Sequence, residues 1–135
     1  MAGEIELAAI LCAFVFGGKA EQAHHYVASG QDHYIKVDCE TDTHVIEVGL
    51  DNKRGSFDSV HQAVFAAYLT GKAPMVVIID TNGREESQEF QIETVAQSFG
   101  VAYETWTEDE LVRMQMTWPF RVEKPAPYII GAALN

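Results

Sequence analysis

The sequence predicts a single α/β domain built on one mixed β-sheet flanked by helices. Three observations carry that prediction. The 135 residues, 47% of them hydrophobic, supply one core and leave no room for a second domain. Between His33 and Leu50 two runs of alternating, β-branched character flank a polar turn, the pattern of an antiparallel pair. From Ser56 onward helical and strand-like stretches alternate, and crossovers of that kind set their strands parallel.

The elements follow in order. Glu4 to Phe16 is helical in composition and stops at Gly17 and Gly18, which favour a helix end. A weak strand over Ala23 to Ala28 leads to a turn at Ser29 and Gly30. His33 to Glu40 and Thr43 to Leu50 are the paired strands. Ser56 opens a helix that runs to about Thr70 and is ended by Gly71 and Pro74. Met75 to Asp80 is a continuous apolar run, as in a strand covered on both faces. Asn82, with Glu85 three residues on, starts a helix that reaches Phe99 and stops at Gly100. Val101 to Glu104 reads as a strand, and Thr107 with Glu110 forms a capping box for a short helix to about Met116. One domain is expected over residues 1–135, with a core over about 5–104 and a C-terminal helix and apolar tail over 107–135.

Charge narrows the function. A formal net charge of −11, from 20 acids against 9 Lys plus Arg, excludes a general nucleic-acid coating protein, because phosphate neutralisation needs clustered cations. Any contact with DNA must then be local, metal-assisted or supplied with help from a partner. Cys12 and Cys39 stand among apolar residues without metal-ligand spacing, and are read as two buried thiols in a reducing cytosol in preference to a disulfide or a metal site. The apolar run Leu7 to Phe16 is too short to span a bilayer and follows an acidic segment where an export signal needs positive charge. A cytoplasmic chain with no membrane partner is expected.

The paired strands hold the chemistry. With Thr41 and Asp42 as the centre of a two-residue turn, Lys36 lies opposite Glu47 and Asp38 opposite Val45. One face then carries Tyr34, Lys36, Asp38, Val45 and Glu47; the other carries Ile35, Val37, Cys39, His44, Ile46 and Val48 and belongs in the core. Asp38 and Glu47 become diagonal neighbours, at roughly 7 Å between backbones, able to converge on one small cation. Two carboxylates of this kind suit Mg²⁺ or Mn²⁺. The alternative is an exposed face in which Lys36 pairs with Glu47 across the strands.

An Asp on one strand, a Glu on the next and a Gln-bearing helix shortly after, in VDCETDTHVIEVG followed by Lys53 and HQAVFAAYLTGKAP, resemble the PD-(D/E)XK nuclease superfamily, in particular its small phage and bacterial, Holliday-junction-resolvase-like members. The resemblance covers about Ile5 to Tyr103 and implies a restriction-endonuclease-like αβββαβ core. It implies a metal-dependent DNA nuclease of phage or mobile-element origin, with Asp38 and Glu47 as ligands of Mg²⁺ or Mn²⁺ and Gln62 as a polar group near the site. Glu6 is the weaker candidate for an additional acid on the first helix. The motif places a lysine two residues after the Glu, where this chain has Gly49. Lys36 on the facing strand and Lys53 beyond the third strand are the substitutes, with Lys36 expected on the more rigid segment. Superfamily members that keep the fold without cleavage supply the alternative: a silent assembly or regulatory module.

Other groups are less specific. The DTNG segment at Asp80 to Gly83 lacks a glycine-rich phosphate loop and reads as turn and cap chemistry; Glu85, Glu86 and Glu89 suit the first turns of a helix. A small acidic domain grips a duplex poorly alone, so a homo-oligomer, a dimer in the first instance, is expected, with the apolar tail Pro127 to Leu134 packed across the interface or on its own domain.

Overall fold

The structure, a computed structural model, describes residues 3–123. Its first helix, α1 (Glu4–Ile10), runs directly into a π-helical stretch, Leu11–Phe16, that closes at Gly17 with the left-handed φ of 64° such a stop requires. Three strands follow, β1 (Lys19–Ala28), β2 (Gln31–Glu40) and β3 (His44–Leu50). A 3₁₀ turn at Arg54–Asp58 leads into α2 (Ser59–Thr70); then come β4 (Ala73–Asp80), α3 (Ser87–Ser98), β5 (Ala102–Thr107) and α4 (Glu108–Glu123).

The strands lie in chain order in one five-stranded mixed sheet. β1, β2 and β3 are antiparallel neighbours, while β3, β4 and β5 run parallel. Helices cover both faces. On one, α1, the π-helical stretch and Leu111 of α4 pack on Ile46, Val48, Met75, Val77 and Ile79; on the other, α2 and α3 pack on Val76, Ile78, Val37 and Val45. β4 is therefore apolar on both sides, which is why its sequence does not alternate.

Three expectations are corrected. Glu86, not Asn82, caps α3: its backbone N–H donates to Glu89 three residues on, and the preceding residues form a loop. The capping box at Thr107 and Glu110 does form, with Thr107 N–H donating to Glu110 Oε1 at 2.8 Å and Glu110 N–H to Thr107 Oγ1 at 3.1 Å, but α4 continues past Met116 to Glu123. Cys12 and Cys39 are joined in a disulfide that ties the π-helical stretch to β2, so the reading of two free thiols, and with it the ground for a reducing compartment, does not hold. Both sulfur-bearing residues were correctly expected to be buried; what spacing along the chain concealed is that the fold sets their Cα atoms 5.5 Å apart. The tail from residue 124 onward lies outside the described residues. Among the described residues no helix is long and apolar enough to cross a membrane.

Candidate functional site

The turn between β2 and β3 decides the geometry. Thr41 N–H donates to the His44 carbonyl at 3.0 Å, so Asp42 and Thr43 are the central residues, one position later than the sequence suggested. Cys39 pairs with Ile46 and Glu40 with Val45, and one further step in the same register sets Asp38 directly opposite Glu47. The diagonal relation of the two acids, and the placement of Lys36 opposite Glu47, are corrected accordingly.

At Asp38 the ladder gives way. The Val48 N–H donates to the Asp38 carboxylate at 2.8 Å, and the Asp38 N–H points at Glu47 Oε2 at 3.4 Å, so side-chain oxygens replace backbone carbonyls between the two strands. On the other side β1 is also irregular: Glu21, the residue that the β1–β2 register brings to Asp38, has a left-handed φ of 56° and no pairing partner. The face pattern changes there too. Ile35 and Val37 pack toward α2 with Val45, whereas Cys39 packs toward α1 with Ile46 and Val48, so the expected single apolar face is split between both layers.

Both acids are driven toward the neutral form. Glu47 is only 5% exposed; burial, then the negative charge of Asp38, push its carboxyl up to about 8. Asp38 is raised as well, by burial, against the opposing effect of the Val48 N–H. Two like charges so close cannot both ionise cheaply, so the pair as a unit resists losing its last proton. None of the ion pairs among the described residues reaches either acid.

The two acids open into a cleft of about 700 Å³ that is also lined by Lys36, Lys53 and Gln62. Asp38, Glu47, Lys36, Lys53 and Gln62 therefore border one cavity. Gln62 comes from the exposed side of α2, and Lys36 from the part of β2 beyond the divergence. The Lys53 segment is more firmly held than its loop sequence suggests. Its N–H donates to the Leu50 carbonyl, and its own carbonyl accepts from Ser56 N–H and from the Gln88 side chain. Glu4, rather than Glu6, joins the cleft; Glu6 borders a neighbouring depression with Glu21 and Asp38.

Gly49 has a packing explanation. A Cβ there would lie 2.5 Å from Ser56 Oγ and 2.7 Å from Ser56 Cβ, because the 3₁₀ turn packs onto β3 at this point, with Ser56 Oγ donating to the Leu50 carbonyl at 2.7 Å. No lysine fits at this position without displacing that turn.

A second acidic group escaped the sequence reading. Asp51, Asp80 and Glu89 bring carboxylate oxygens within 4.8 Å of one another, a set able to hold a metal ion. Asp51 directly follows β3 and Asp80 ends the parallel neighbour β4, the edge at which α/β sheets gather ligands, and that was the available signal. Glu89 is 2% exposed and pushed up to about 7 by burial and by Asp80. Each carboxylate also has local work: Asp51 accepts from Thr81, Asp80 from the N–H groups of Asn82 and Gly83, and Glu89 from Glu86. The DTNG segment is thus a turn, as its composition suggested.

Comparison of the chain with family models, with curated proteins and with solved structures finds no match in any of the three.

Proposed function

We propose that the chain is a divalent-metal-dependent DNA nuclease of the PD-(D/E)XK type, with Asp38 and Glu47 as the ligands of Mg²⁺ or Mn²⁺. The observation that carries this reading is the carboxyl pair, Glu47 buried and Asp38 half-buried, without a cationic partner among the described residues, at the wall of an open cleft. Two acids packed together at a cost to their own ionisation suit a function that supplies positive charge, and hard oxygen donors suit Mg²⁺ or Mn²⁺. The element order α1, β1, β2, β3, α2, β4 supports a restriction-endonuclease-like αβββαβ core.

A cation bound there supplies Lewis-acid activation of water and of the phosphodiester. The chain's own residues do the rest. Lys53, on its tethered segment, and Lys36 hold ammonium groups at the cleft, where they offset negative charge that builds on phosphate oxygens. Gln62 presents an amide from α2 that orients the substrate or the attacking water. Glu47 would hold a cation as the deprotonated carboxylate, its proton passing to solvent or buffer.

Cleavage assays on single-stranded, double-stranded and branched DNA test the reading. Activity is expected with Mg²⁺ or Mn²⁺, lost on chelation and in Asp38→Asn and Glu47→Gln, and retained in Asp80→Asn. No cleavage of any substrate, together with no metal binding, overturns it. A second reading, a nuclease-fold protein without activity that serves as an assembly module, draws on the absence of room for a lysine at Gly49. Metal binding at Asp38 and Glu47 without cleavage would favour it.

A further inference from the structure

The cleft adjoins a row of aromatic rings. Tyr26 of β1 stacks on His33 of β2, with ring centroids 5.3 Å apart and planes 21° from parallel. Its edge meets Phe65 of α2 at 5.0 Å and 84°, and Phe65 in turn stacks on Tyr68 at 6.3 Å and 18°. Tyr26 and Phe65 also line the cleft that contains Asp38 and Glu47, so the inner rings of the row border that cleft and the row continues along α2 to Tyr68. At its far end Tyr68 is 81% exposed and borders an apolar depression with Val64 and Phe99. Packing of the core does not account for an aromatic side chain so placed, since the buried side of α2 is Val60, Ala63 and Ala66.

We infer that this row is a stacking platform for unpaired nucleobases, so that the cleft takes single-stranded or frayed DNA in preference to duplex. The inference rests on the nuclease reading of the cleft. Electrostatics separates the two kinds of substrate. Duplex binding draws on many phosphate contacts, and a chain of net charge −11 has few cations for them. Locally, however, Lys36 and Lys53 border the cleft without an acidic partner among the described residues, and Arg54 follows Lys53 directly. Two or three phosphates can be held there. Beyond them, affinity must come from a source that needs no charge, and base-on-aromatic stacking is sequence-tolerant and available only to bases free of a partner. A second copy of the chain is a poorer occupant, because each copy carries a net charge of −11.

Fluorescence anisotropy in chelator, with labelled oligothymidine of about a dozen residues and a duplex of equal length, separates the possibilities. Oligothymidine is expected to bind at least roughly tenfold more tightly than duplex, with Tyr68→Ala weakening it roughly 5- to 100-fold and Tyr68→Phe leaving it near the parent value. Mn²⁺ binding, measured separately by calorimetry, is expected to be unchanged in Tyr68→Ala. Equal affinity for duplex, or an unaffected Tyr68→Ala, overturns the inference while leaving the metal site intact. Oligothymidine binding without Mn²⁺ binding instead removes the nuclease reading and keeps the platform. A Tyr68→Ala variant that turns a dimer into a monomer with oligothymidine affinity unchanged assigns the face to self-association and also overturns it.

Discussion

Glu47 shows how a single side chain couples its ionisation to stability. Because its carboxyl is pushed up to about 8, the folded chain keeps a proton that the unfolded chain releases once the pH passes the ordinary carboxyl range. Stability contributed by the neutral form is complete in acid, falls as pH rises toward about 8, and levels off above it. Glu47→Gln, which is neutral at every pH, is therefore expected to unfold at higher temperature than the parent, by the equivalent of about 1–3 kcal/mol at about pH 9 and by less at about pH 5. Thermal melts at the two pH values check this; an equal gain at both, or a loss, contradicts the assignment of a buried proton. Gly49 makes the opposite point, that a residue can be fixed by its neighbour and not by chemistry. Gly49→Ala is expected to cost about 1–3 kcal/mol in denaturant melts, and adding Ser56→Ala should not restore the loss, because Ser56 Cβ itself would stand 2.7 Å from the new methyl group.

At the scale of elements, the disulfide is the feature with the clearest consequence. It closes a segment of 27 residues and fastens the π-helical stretch beside Asp38, so reduction is expected to destabilise the chain by about 3 kcal/mol. Thiol titration of unfolded protein without reductant should find none free, and denaturant melts with and without reductant should differ by that amount. Local signals made most elements legible. Gly17 and Gly71 stop their helices with left-handed φ values, the apolar run of β4 marked a strand covered on both faces, and Thr107 with Glu110 capped α4. Features set by contacts between distant segments were harder to read. The β2–β3 turn chose Asp42 and Thr43 over Thr41 and Asp42 because Thr41 Oγ1 accepts from the N–H groups of Thr43 and His44, a preference that strand periodicity does not express. The irregularity at Asp38 needs Glu21 opposite it, and the Asp51, Asp80 and Glu89 group needs two strand ends and a helix brought together.

For the whole molecule, charge sets the terms. An excess of 11 negative charges should make duplex binding weak, with the shallow salt dependence of few phosphate contacts, and the expected dimer would have to gather two sites to overcome it. Light scattering at concentrations well above micromolar checks the dimer; a monomer removes it. The acids are not spread evenly, since two separate groups, Asp38 with Glu47 and Asp51 with Asp80 and Glu89, each gather buried charge that a cation would relieve. The central claim is that the first group is the one built for metal. Calorimetric titration with Mn²⁺ at neutral pH, in two buffers of different ionisation enthalpy, tests it most directly, because a metal that displaces the Glu47 proton must release it to the buffer. The expected result is binding accompanied by release of about one proton, lost in Glu47→Gln and preserved in Asp80→Asn. Binding that survives Glu47→Gln but disappears in Asp80→Asn, or no binding at all, would contradict the account.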